Sequence, residues 1–284
     1  MTVVMKGAEV SAQMKETLSA ERAALQSKGV EPKLAIVRVG ARPDDLSYER
    51  GALKRFEGLG IAVQVFEFPE DIAMMEFAGK FEAINADSSI HGILLFRPLP
   101  KHLDEDAVKK AINPLKDVDG MSPLSSAKVF SGDEDGFAPC TPSAVMEMLD
   151  HYGVGLEGKN VVIVGRSMVV GRPLSMLMLK KNATVTICHT KTRDMEKICR
   201  NADILIAAAG KAKMLTAGFV SDKTVVVDVG INVDNEGKLC GDVDYEAVAP
   251  LVEKISPVPG GVGAVTTSML AKHVLKSARL LEKL

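Results

Sequence analysis

Short β-branched runs alternate with amphipathic stretches along most of the chain, and that rhythm limits the fold more than any other feature. Leu34 to Val39 reads as a strand, followed by a loop with Pro43 and a helix from about Asp45 to Leu59. Ala62 to Phe68 and His91 to Phe96 read as further strands, with helices over Ile72 to Ala86 and Asp104 to Ile112. Strands alternating with helices need crossover connections, hence a mostly parallel sheet and an α/β class. The Gly- and acid-rich run Phe130 to Gly136 breaks the rhythm and marks a loop beside a domain boundary. Thr141-Pro142 then opens a helix to about His151, with Thr141 as N-cap and Pro142 at the first helical position. Strands resume at Asn160 to Val164, Ala183 to Cys188, Asp203 to Ala208 and Thr224 to Val229, before a long amphipathic helix from Thr266. At 284 residues the chain has room for about two domains. The expected division is residues 1–138, with 266–284 returning to them, and residues 139–265.

Composition narrows the partners. Thirty-five Lys plus Arg against 37 Asp plus Glu give a formal charge of -2, without the basic surface that nucleic acid or an anionic membrane requires. No apolar stretch approaches a membrane span, and the first residues lack the pattern of an export signal, so a cytoplasmic protein is expected. Cys140, Cys188, Cys199 and Cys240 are widely spaced, and read as reduced thiols with neither a disulfide framework nor a metal site.

The segment Val161 to Pro173 reads as strand, tight turn and helix start. Small residues there let backbone approach a pyrophosphate, whose charge sits on the helix amino terminus. The pattern departs from GxGxxG: Ser167 takes the second glycine position, and Gly171 comes one residue late. By itself this fits any strand-to-helix turn; the strand before, the helix after and a second strand about 20 residues on raise it to a dinucleotide site. That second strand ends in Cys188-His-Thr190-Lys191-Thr-Arg193, where an NAD site usually places an acid for the ribose hydroxyls. Hydroxyls and positive charge, with Arg166 from the first turn, suit a ribose phosphate instead, so NADP is the expected cofactor. Lys191 and Arg193 alone would be ordinary solvated loop residues.

Several segments together resemble the bifunctional methylenetetrahydrofolate dehydrogenase/cyclohydrolase family: Pro114 to Gly120, Pro139 to Pro142, Val164 to Ser167 with Val170 to Pro173, Asp228 to Asn232, Gly241 to Val243 and Pro257 to Gly263. The match covers nearly the whole chain in order and spacing. The resemblance implies a homodimer with an amino-terminal folate-binding α/β domain, a Rossmann domain, and a folate cleft between them, the final helix packing back on the first. It implies that Tyr48 and Asp119 are catalytic and bind substrate, Tyr48 stacking on the pterin and Asp119 accepting from its amino-pyrimidine edge. Pro259, Gly260, Gly261 and Gly263 would close the folate pocket, and Gly165, Arg166, Ser167, Thr190 and Ile231 would hold NADP. An aromatic face suits a flat heterocycle, and a carboxylate suits paired N–H donors. Read alone, Tyr48 is a half-buried helix residue and Asp119 a loop cap; Cys140 reads as structural and His189 as orienting its loop.

Two positions depart from the family. Its helix reads Tyr-x-x-x-Lys, the lysine being its signature for cyclohydrolase chemistry; here Tyr48 is followed at that distance by Ala52, with the register fixed by Gly60-Ile61. Its third strand carries a glutamine that hydrogen-bonds the lysine, and this chain has Phe96 there, then Arg97. Hydride transfer chiefly needs its reactants held face to face. Hydrolysis of the methenyl cation needs a positioned acid–base group, worth roughly a hundredfold to ten-thousandfold. Three readings follow: an NADP-dependent dehydrogenase with weak or lost cyclohydrolase, a fully bifunctional enzyme with Arg97 or another group in the lysine's role, and a catalytically silent folate-binding subunit. Retention of the nucleotide turn argues against the last. Arg55 shares the Tyr48 helix face but cannot serve as a base.

Overall fold

The computed structural model describes residues 1–284, which group into two units. Residues 13–140 and 267–284 form one, residues 1–12 and 141–266 the other. The chain begins with the strand β1 (Val3–Val4) and the helix α1 (Gly7–Gln26). Val10, Met14, Leu18 and Leu25 give α1 its buried stripe at helical spacing.

Next come β2 (Lys33–Val39), α2 (Pro43–Glu57), β3 (Ala62–Phe68), α3 (Met74–Ala86), β4 (Gly92–Leu95), α4 (Glu105–Ala111) and α5 (Pro123–Ser131). The strands pair in parallel in the order β3-β2-β4. Central β2 is buried except at its first residue. Pro43 opens α2, with Asp44 and Asp45 in its first turn and Lys54 and Arg55 in its last, the order a helix dipole favours. Buried Arg38 on β2 donates to Glu49 on α2 (3.0 Å), Glu67 on β3 (2.7 Å) and the Gly40 carbonyl (2.7 Å). It ties α2 to the sheet one residue from Tyr48. Asp117 is buried and accepts from the N–H groups of Met121 and Ser122, at 2.9 Å each, and from the Ser125 hydroxyl, fixing the start of α5.

Helix α6 (Cys140–His151) starts one residue before the expected cap, so Thr141 and Pro142 lie inside its first turn. The leading N–H, on Cys140, is satisfied at 2.9 Å by the Asp119 carboxylate. A cap supplied from 21 residues away leaves no local mark in the sequence.

The remaining elements are β5 (Asn160–Val164), α7 (Gly171–Lys180), β6 (Thr184–Cys188), α8 (Met195–Arg200), β7 (Ile204–Ala207), β8 (Val225–Asp228), β9 (Asn232–Val233), β10 (Leu239–Cys240), α9 (Tyr245–Val248), β11 (Lys254–Ile255) and α10 (Thr266–Leu281). A six-stranded parallel sheet runs β1-β11-β8-β7-β5-β6, with β9 and β10 as a separate antiparallel pair. Residues 1–12, expected in the first domain, instead join this sheet, because Val3 and Val4 pair with Lys254 and Ile255. Strand order reverses at β5, flanked by β6 and β7, which leaves a crevice beyond the carboxyl ends of β5 and β7. On α10, Ser277 donates to the carbonyls of His91 and Leu115, and Lys276 to that of Gly136 (2.7 Å). No helix is long and apolar enough to cross a membrane.

Candidate active site

At the crevice, the chain leaves β5 through Gly165 at φ +139°, where a Cβ would lie 2.0 Å from the Ala208 carbonyl oxygen just past β7. Only glycine permits that approach. A Cβ at Gly171 would lie 2.1 Å from the Gly165 carbonyl oxygen, so the late glycine is the one that lets α7 pack against the strand end. The extra residue is taken up in the turn, where Ser167 Oγ accepts from the Val170 N–H at 3.0 Å. Arg166 and Ser167 are exposed ahead of the α7 amino terminus, a position whose charge suits an anionic group. Thr190 is exposed in the loop after β6. His189 orders that loop: its Nδ1 accepts from the Lys191 N–H (3.1 Å), and its own N–H donates to Thr192 Oγ1 (2.8 Å).

Two buried carboxylates interlock the neighbouring loops. Asp228 accepts from the N–H groups of Gly230 (2.9 Å), Asp242 (3.1 Å) and Val243 (2.9 Å). Asp242 accepts from Ala209 (2.6 Å), Gly210 (3.0 Å), Lys211 (2.7 Å) and the Asn232 side chain (2.9 Å). A Cβ at Gly230 would lie 2.4 Å from the Asp242 carboxylate, and one at Gly241 1.9 Å from that of Asp228. Burial pushes the Asp228 carboxyl up to about 6, against the pull of its three N–H donors. Beside this clasp lies a cavity of about 280 Å³, lined by Ile231, Leu239 and the turn from Pro257 to Ala264. It brings Ile231 together with Pro259, Gly260, Gly261 and Gly263.

In the three-stranded unit, Tyr48 is half-buried on α2, and its ring meets Phe96 edge-on at 5.9 Å and 88°. Ala52, one turn on, is fully buried. Lys54 is exposed, and Glu49 is engaged by Arg38 away from Tyr48. Arg97 is half-buried, with its guanidinium 3.9 Å from Glu105. Burial pushes the Asp119 carboxyl up, opposed by the Cys140 hydrogen bonds.

Comparison with known proteins agrees with this arrangement. Residues 5–119 match the catalytic-domain model of the tetrahydrofolate dehydrogenase/cyclohydrolases, and residues 139–282 match their NAD(P)-binding domain. The chain belongs to the tetrahydrofolate dehydrogenase/cyclohydrolase family. It is 56% identical over 277 residues to the bifunctional protein FolD of Clostridioides difficile, covering 98% of this chain and 96% of that one. The bifunctional FolD of Campylobacter jejuni superposes with a TM-score of 0.96 at 41% identity, over all of both chains. The Trypanosoma brucei enzyme, solved with NADP and an inhibitor, superposes at 0.93 and 32% identity, covering 100% of this chain and 99% of that one. As a member of this family the chain is a tetrahydrofolate dehydrogenase with a dinucleotide cofactor.

Against the family pattern, both departures sit in apolar, buried surroundings, Ala52 on α2 and Phe96 just past β4. Sequence reasoning passed over Asp228 and Asp242 as site-builders, although each stands within two residues of a glycine in a family motif. It also passed over Leu239, an exposed apolar residue whose place on the cavity wall depends on the β9–β10 pairing.

Proposed function

We propose that this protein catalyses the NADP-dependent oxidation of methylenetetrahydrofolate to methenyltetrahydrofolate, with the subsequent hydrolysis weak or lost. NADP held here would supply the hydride acceptor for the folate methylene carbon. Gly165, Arg166, Ser167, Thr190 and Ile231 would hold the dinucleotide, the α7 amino terminus suiting its pyrophosphate and Arg166 with Thr190 suiting its ribose phosphate. Tyr48 supplies an aromatic face to the pterin, Asp119 accepts from its amino-pyrimidine edge, and Gly260, Gly261 and Gly263 of the turn offer side-chain-free backbone to a planar ring.

The observation that carries the second half is the edge contact of Tyr48 with Phe96 beside a fully buried Ala52. Hydrolysis needs a water activated by a tunable base and a proton delivered to the leaving nitrogen. An alanine methyl and a phenyl ring do neither, and an apolar wall disfavours an ordered water. Ala52→Lys alone should add little, because burial beside Phe96 penalises the ammonium. Ala52→Lys with Phe96→Gln should raise methenyl-folate hydrolysis beyond the product of the single effects, as coupled neighbours do. A purely multiplicative outcome would remove the pair from the hydrolytic step.

Full bifunctionality is the second reading, favoured by the relatives being called bifunctional. It requires another base, and Arg97, which follows Phe96, cannot be one: its guanidinium stays protonated and lies 3.9 Å from Glu105.

A further inference from the structure

The mechanism leaves one buried cluster without a task. His273 on α10 is buried, its ring edge-on to Phe137 at 5.6 Å. Its Nδ1 lies 2.8 Å from the Val118 carbonyl oxygen, which only accepts, so Nδ1 carries the hydrogen. The same carbonyl accepts from the Cys140 thiol at 3.5 Å, and Cys140 Sγ lies 3.8 Å from His273 Nδ1. Val118 directly precedes Asp119, whose carboxylate accepts the Cys140 N–H at 2.9 Å. On the other side, Gly120 (φ +61°) is jammed so closely that a Cβ would sit 2.4 Å from the Phe137 carbonyl oxygen. The segments 117–120 and 137–140 therefore cross at Asp119, and the imidazole holds the crossing from the α10 side.

We infer that His273 is a positioning residue for folate recognition, setting the orientation of Asp119 through the Val118 carbonyl and Cys140. This rests on the reading of Asp119 as the pterin acceptor. A carboxylate that must meet two N–H donors of a flat ring edge tolerates little rotation. One of its oxygens is already held by Cys140, so a shift of the 118–119 peptide would turn the other away from the substrate. Burial pushes the imidazole down to about 4, which keeps it the neutral donor this geometry needs. His273 and Cys140 both bring side-chain donors to the Val118 carbonyl.

The test is calorimetric binding of methylenetetrahydrofolate without cofactor, alongside separate NADP titrations. His273→Leu removes the Nδ1 donor at similar volume, His273→Asn keeps a donor, and Asp119→Ala removes the acceptor itself. His273→Leu should weaken folate binding about tenfold, His273→Asn should recover most of that, and NADP binding should stay unchanged in all. In the double variant His273→Leu with Asp119→Ala, the loss should equal that of Asp119→Ala alone, because the histidine acts through the aspartate. If Asp119→Ala binds folate normally, the reading of Asp119 fails. If it loses folate while His273→Leu does not, or the two losses add, the positioning role fails. Should His273→Leu not fold, Cys140→Ala, which removes only the thiol link, should weaken folate binding about threefold; unchanged binding there contradicts the inference.

Discussion

In the proposed function Asp119 serves structure and recognition together. The plain reading of it as a loop cap is correct as far as it goes, since it satisfies the first N–H of α6. That bond also fixes its carboxylate for a further partner. The buried His273 behind it makes the three-stranded unit sensitive to acid. An unfolded histidine titrates near 6.5 and this one near 4, lowered chiefly by burial and further by Lys276 and Lys272. Between those values the unfolded chain takes up a proton that the folded one refuses, so stability falls as pH drops through that window. The unit should lose about 2 kcal/mol between pH 7 and pH 5 that a His273→Gln variant does not lose. Urea midpoints of both proteins at the two pH values check this; parallel losses would contradict it. Asp228 works in the opposite sense in the other unit. Its folded pKa of about 6 lies above the unfolded 3.8, so its contribution declines as pH rises between them.

At the scale of elements, the nucleotide turn depends on contacts that glycine alone allows. Gly171→Ala would drive a methyl into the Gly165 carbonyl, 2.1 Å away, at the join of β5 and α7. NADP affinity should fall at least tenfold with folate binding retained, read by separate titrations; unchanged NADP affinity would mean the turn does not hold the pyrophosphate. The parts of the fold legible in sequence are those whose own residues decide them. The strands Ala62–Phe68 and Asn160–Val164 fall where the β-branched runs put them. The helix α1 likewise has a readable stripe in Val10, Met14 and Leu18. By contrast β1 and β11 are two residues each and exist through pairing with each other and with β8. The early start of α6 and the interlocked Asp228 and Asp242 likewise depend on partners far along the chain. Within the candidate site, Ile231 and the turn Pro259 to Gly263 follow from the family resemblance, and their shared cavity comes from the loops between strands.

At the scale of the whole molecule, the family's dinucleotide turn is intact while its acid–base pair has become alanine and phenylalanine. On the proposed reading, a reaction driven by positioning survives such a change, whereas one that needs a tuned proton donor and acceptor does not. Phe96 also gives Tyr48 an aromatic neighbour in place of a polar one, which favours a dry, ring-binding surface over one that orders water. The most direct test is a stopped-flow record of the unmodified protein mixed with methylenetetrahydrofolate and NADP, following NADPH and methenyl-folate separately. The account predicts that NADPH appears while methenyl-folate accumulates and then decays only at its rate in buffer. Decay of methenyl-folate as fast as NADPH forms would contradict it.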